Sequence, residues 1–200
     1  MQIIHPELIL EAYSQGYFPM GKDGSDSEVE WYGARKRGVF PLDTFHMPSR
    51  ALRYIRTKAF EFRTDTDFAG VLSGCADRET TWINQTIFDT YLYLHQVGYA
   101  HSVEVWRDGK LVGGLYGLVI GGAFFAESVY QTEPEAMKAA LFFCHQHLVR
   151  RGFLLWDVQF LNSFLAQFGC RELRAPIYMK RLNLALERVD LSWSDALSGD

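Results

Sequence analysis

The run from His101 to Tyr130 constrains the fold of this 200-residue chain more than any other stretch. His101-Ser102-Val103-Glu104-Val105-Trp106-Arg107 alternates with the two-residue period of a half-buried strand, and Asp108-Gly109 is a strong hairpin signal into Lys110 to Ile120. Gly121-Gly122 turns the chain again into Ala123 to Tyr130, so an antiparallel meander is predicted. Thr132-Glu133-Pro134-Glu135 fits a capping box, with Thr132 as N-cap, opening a helix through Arg151 that Gly152 ends. Leu154-Leu155-Trp156-Asp157-Val158-Gln159-Phe160 then reads as an apolar strand. Alternation puts Asp157 and Gln159 on one face and Trp156 and Val158 on the other. A helix over Asn162 to Phe168 and a last strand-like segment precede a tail from Leu182 to Leu191. Meander, long helix, returning strand and helix make an α/β (α+β) fold, an acetyltransferase-like antiparallel or mixed sheet flanked by helices.

Upstream, Pro6 to Gly16 reads as a short helix, with Pro6 in its first turn and Gly16 as its stop. Tyr17 to Met20 is expected to turn the chain into a polar loop over Gly21 to Glu30. Val39 to Leu42 reads as a short strand that Pro41 confines to an edge or an end, and Pro48 to Lys58 as a basic helix. Residues 1–44 are thus expected to form a small N-terminal domain and residues 45–200 the larger one. A strand over Phe60 to Arg63 and helices from Thr66 to Cys75 and from Asn84 to Val97 lead into the meander.

A hydrophobic content of 48% suffices for one substantial core. The longest uncharged run, Leu111 to Ala126, is too short and too glycine-rich for a membrane span, and Met1 to Glu7 has no signal-peptide pattern. Cys75, Cys144 and Cys170 suit neither a disulfide framework nor a zinc site, so the cytoplasm is the expected location. The net charge of −4 argues against broad non-specific nucleic-acid binding. Yet Arg35, Lys36, Arg37, Arg50, Arg53, Arg56 and Lys58 face only one acid, Asp43, over the same stretch. Arg50, Arg53 and Arg56 recur every three residues, which suits either a solvated helix face or one that tracks phosphates.

A carboxylate buried in a strand as apolar as Leu154 to Phe160 costs several kcal/mol unless paired. Asp157 therefore serves either chemistry or the capping of the helix that follows. A coenzyme A enzyme of this fold would cradle pyrophosphate on backbone amides after the central strand. Here that junction, Ser128 to Glu135, contains Pro134, which has no amide, and two carboxylates. No phosphate loop, dinucleotide fingerprint or metal-ligand spacing occurs, so neither a cofactor nor a metal is expected. His145 and His147, two apart on a helix, share no face and read as packing or surface.

Tyr13 to Pro19, Thr81-Trp82-Ile83, Gly98 to Trp106, Leu111 to Gly117, Phe125 to Ser128 and Asp157-x-Gln159 together resemble the leucyl/phenylalanyl-tRNA–protein transferases, from about Leu8 to Leu182. The resemblance implies transfer of a large apolar amino acid (Leu, Phe or Met type) from aminoacyl-tRNA to the N-terminal Arg or Lys of a protein, marking it for degradation. A monomer without a membrane partner is expected. Asp157 would orient Gln159, whose carbonyl oxygen would draw on the attacking amine. Glu127, Trp82, Met20 and Ser128 would hold the aminoacyl-adenosine end, and Arg50, Arg53, Arg56 and Lys58 the tRNA backbone. Met137 and Phe143 are further pocket candidates, with core packing as the other account.

Several positions depart from the family pattern. Met20 stands where the family commonly has Trp, Tyr32-Gly33-Ala34 replaces Trp-Ser-Pro, and Val129 to Lys138 differs throughout. These flanks leave open a non-catalytic tRNA- or peptide-binding relative. An acyl-coenzyme A N-acetyltransferase is opposed by Pro134.

Overall fold

The computed structural model of the chain describes residues 2–22 and 24–194. Helix α1 (Pro6–Ser14) begins with a proline, whose missing N–H costs nothing in a first turn, and buries Ile9 and Tyr13. Strands β1 (Tyr17–Gly21) and β2 (Val29–Gly33) follow as an antiparallel pair with Phe18 opposite Tyr32 and Met20 opposite Glu30. Tyr17 to Met20 is therefore a strand and not the expected turn. Its proline is tolerated because the pair forms a separate two-stranded sheet whose strands are all edges.

The main sheet has seven strands, in the order β4-β5-β6-β7-β8-β3-β9. In chain order these are β3 (Lys36–Phe40), β4 (Glu61–Thr64), β5 (Ala100–Arg107), β6 (Lys110–Ile120), β7 (Ala123–Gln131), β8 (Leu155–Asp157) and β9 (Arg171–Arg174). β5, β6 and β7 are the predicted meander. β7 and β8 pair in parallel, and the other pairs are antiparallel. β3 lies inside this sheet, between β8 and β9, although it precedes residue 44. Pro41 falls one residue past its end, as its lack of an N–H demands.

Helices cover both faces. α1, α3 (Phe68–Ala76), α4 (Gln85–Gln96) and α7 (Ala175–Leu186) pack on one side, and α2 (Ser49–Thr57), α5 (Ala136–Arg151) and α6 (Ser163–Ala166) on the other. Asp67 and Asn84 cap α3 and α4 with their side chains. The capping box at Thr132 does not form: Glu135 precedes α5 in the left-handed region (φ +70°) and pairs with Lys138, while Thr132 Oγ1 donates to Val112 O. α7, which was expected only as a tail from Leu182, starts at Ala175 with a proline in its first turn. His145 and His147 pack: their Nε2 atoms bond to the carbonyls of Leu42 and Trp193. The three cysteines are free and buried. Among the described residues no helix is long and apolar enough to cross a membrane.

Candidate functional site

Two parallel strands part to make the site. β7 and β8 stay in register only as far as Phe125 opposite Asp157. Beyond that pair β7 runs on to Gln131, while the chain after β8 bends toward β3, where Gly38 N donates to Gln159 O (2.9 Å). A Cβ on Gly38 would lie 2.8 Å from Phe160 C and Leu161 N, so only glycine admits this approach. The gap is a cavity of about 850 Å³ walled by β1, the end of α3, β7, the start of α5 and the segment from Val158 to Leu165.

Strand β7 meets the gap with a bulge. Tyr116 pairs with Ser128 and Gly117 with Ala126, so Glu127 is the extra residue, and a bulge re-aims the side chain it carries. Tyr13 Oη donates to Glu127 Oε1 (2.6 Å) and shares a hydrogen bond with Tyr91 Oη (2.7 Å). Gln159 Nε2 donates to the same oxygen (3.2 Å). Burial pushes the Glu127 carboxyl up to about 8, against the pull of the Tyr13 hydrogen bond. Around pH 7 burial therefore favours the protonated acid.

A raised carboxyl contributes stability that is complete below its unfolded value, near 4.5, and is lost as pH climbs through about 8. Glu127→Gln removes this dependence. Melting curves of the two proteins should run close together at pH 5 and separate in favour of Gln toward pH 8, by at most about 1.4 kcal/mol per pH unit. Parallel curves across that window would show that Glu127 ionises normally.

Asp157 is fully buried and fully engaged. Arg37, 1% exposed, donates from Nε to both carboxylate oxygens (3.0 and 2.9 Å), Tyr178 Oη donates to Oδ2, and Gln159 N donates to Oδ1 (2.7 Å). Arg37 Nη1 reaches Gly16 O (2.9 Å), and its guanidinium lies 4.5 Å from the centre of the Phe18 ring. Burial alone would depress the Arg37 guanidinium, but the charge of Asp157 beside it raises it. Burial and then Asp157 push the Tyr178 phenol up.

Gln159 does not share a face with Asp157 by strand alternation, because β8 ends at Asp157. It sits in the left-handed region (φ +56°), which costs a non-glycine residue about 1–3 kcal/mol unless its surroundings hold it there. Asp157 Oδ1 on its N–H and Gly38 N on its carbonyl do so. Its side-chain amide donates to Glu127, and among the described residues its Oε1 accepts no hydrogen bond. Asp157 is not a cap either: Asn162 Oδ1 caps α6 (2.8 Å to Leu165 N).

Of the other residues singled out from sequence, Met20, Trp82, Ser128 and Met137 line the cavity with Glu127 and Gln159. Phe143 does not; it stacks on Phe62 in the core (centroids 4.7 Å apart). Arg50, Arg53 and Arg56 on α2 are exposed, line no part of the cavity and form no ion pair among the described residues, and Lys58 lies over the Tyr54 ring. The residues the sequence reading passed over are Arg37, Tyr13, Tyr91 and Tyr178. Arg37 was grouped with its exposed neighbours Arg35 and Lys36. The apolar Gly38-Val39-Phe40 after it was the signal that this one basic side chain enters a sheet.

The family profile of leucyl/phenylalanyl-tRNA protein transferases matches residues 39–183, and that of their N-terminal domain residues 3–35. A leucyl/phenylalanyl-tRNA–protein transferase of Ruegeria pomeroyi is 46% identical over 181 residues, covering 90% of this chain and 86% of the relative. One of Gloeobacter violaceus is 48% identical over 181 residues, covering 90% and 93%. Among solved structures, a C-terminal DUF2156 domain from Agrobacterium fabrum superposes with a TM-score of 0.51 at 13% identity, over 98% of this chain and 73% of that one, a likeness of fold alone.

Proposed function

The chain belongs to the leucyl/phenylalanyl-tRNA–protein transferase family, and from that premise we propose that Gln159 positions a protein's N-terminal amine against an aminoacyl-tRNA ester held in the β7–β8 cavity. The chain is an aminoacyltransferase that moves an aminoacyl group from tRNA to a protein N-terminus. The observation that carries the site reading is the uncommitted Oε1 of Gln159. An α-amine with a pKa near ~7.7–8.0 is partly neutral at physiological pH, so the enzyme needs an oriented acceptor more than a strong base. Gln159 Oε1 accepts one N–H of that amine and aims its lone pair at the ester carbonyl. The C–N bond forms, the bond to the ribose oxygen breaks, and the amine proton ends on that oxygen.

Glu127 fixes the amide by accepting from Nε2, and Asp157 acts on the main chain of Gln159. In the reading from resemblance Asp157 acted on the side chain. A donor amino acid of Leu, Phe or Met type suits an inner wall built from Leu115, Val129, Met137, Leu141, Val158 and Leu165. Trp82 offers a face for the terminal adenine, where stacking contributes roughly 1–3 kcal/mol. N-terminal Arg or Lys as the acceptor, degradation as the fate of the product, a monomeric state and a cytoplasmic location belong to the same reading. Incubation with a mixed pool of charged tRNAs and a peptide beginning with Arg, read by mass spectrometry, tests it. A peptide that gains no residue rejects it.

Arg50, Arg53 and Arg56, exposed and without an ion pair among the described residues, support a tRNA footing on α2. Replacing all three with Ala should weaken tRNA binding and flatten its log–log salt slope by about 2 to 3, at roughly 0.9 per phosphate contact on duplex. A slope that stays where it was rejects that footing.

A further inference from the structure

We infer that Asp77, at the mouth of the cavity, receives the cationic side chain of the acceptor's first residue. The inference rests on the aminoacyltransfer reading above and adds how the acceptor is chosen. A guanidinium or ammonium entering this cavity needs a carboxylate with lone pairs to spare. Asp157 has none: it is buried, it lines no wall of the cavity, and Arg37 already neutralises it. Glu127 and Asp77 are the two carboxylates among the lining residues. Glu127 Oε1 is taken by Tyr13 and Gln159, and burial favours the protonated acid around pH 7. That leaves Asp77.

Asp77 is exposed, and its carboxylate does nothing for the helix that carries it. Asp77 is the C-terminal cap of α3, where the helix gathers partial negative charge and a carboxylate is unfavourable. The capping bond there comes from its backbone N–H to Ser73 O, so the carboxylate is not needed for it. Among the described residues that carboxylate accepts no hydrogen bond and forms no ion pair. The adjacent cation, Arg78, is turned to the cavity wall and donates to Ser128 Oγ and Val129 O. Arg78 lines the same cavity, but its guanidinium is held by those two oxygens, which leaves the Asp77 carboxylate as the uncommitted charge at this edge of the cavity that holds Gln159.

A cycle between Asp77 and the acceptor charge tests this. The protein and its Asp77→Asn and Asp77→Glu variants are given leucyl-tRNA and two peptides differing only in the first residue, Arg or its neutral isostere citrulline. The unmodified chain should favour Arg by about 10- to 100-fold in kcat/KM, the range of a charge-assisted hydrogen bond. Asp77→Asn should reduce the ratio to about 3-fold or less through KM for the Arg peptide, and Asp77→Glu should restore most of it. A ratio that survives in Asp77→Asn overturns the assignment. So does a change confined to KM for leucyl-tRNA, which would place Asp77 on the donor. Absence of transfer to either peptide by the unmodified chain removes the aminoacyltransfer reading itself, and this assignment with it.

Discussion

Gln159→Ala should lower single-turnover transfer by about 100-fold or more, the range seen when one positioned polar group is removed from a reacting centre. tRNA affinity should stay close to that of the unmodified protein, since the lost contact is made to the attacking amine. Alanine in place of Gln159 also keeps a Cβ in the left-handed region, so backbone and side-chain effects need separating. Gln159→Gly does this. Glycine adopts that conformation without strain, so the Gly variant should melt at or above the temperature of the Ala variant while transferring no better. Transfer by the Gly variant at the unmodified rate would show that the side chain does no chemistry and that another group positions the acceptor amine.

What could be read from the sequence was local. Asp108-Gly109, Gly121-Gly122 and the period-two alternation around them specify the meander through turn geometry that three or four residues determine by themselves. Asp67 and Asn84 mark helix starts for the same reason. Glu127, Trp82, Met20 and Ser128 reach one cavity because the resemblance carried them, not because spacing predicts it.

The bulge that turns Glu127 inward depends on a register slip between two strands, which neither strand signals alone. The side-chain partners of Asp157 come from positions 120 and 21 residues away, so nothing near Asp157 announces them. Alternation placed Gln159 beside Asp157, yet the contact is main-chain and arises because the strand has ended. β1 was missed because Pro19 reads as a break, and a proline on an isolated two-stranded ribbon is not one.

Arg37 and Asp157 give the sharpest test of how the site is held. Arg37→Met leaves a buried, unpaired carboxylate, and loss of one partner from such a pair costs about 3–5 kcal/mol, enough to lower Tm by about 10 °C in a domain of this size. Asp157→Asn alone should also destabilise, because the guanidinium of Arg37 then loses its counter-charge. The double variant Arg37→Met with Asp157→Asn removes both charges yet keeps an amide oxygen where Oδ1 accepts from Gln159 N. Tyr178 Oη can rotate to accept from the new amide group in place of donating. If Asp157 serves the main chain of Gln159, the double variant should melt within a few degrees of the unmodified protein and recover transfer to within about 10-fold, because replacing both charges is far cheaper than stranding one. If the charge of Asp157 itself drives the amide of Gln159, stability should return and transfer should not. Thermal melts and single-turnover rates on the two single variants and the double separate these outcomes, since only the second account lets a well-folded protein remain inactive.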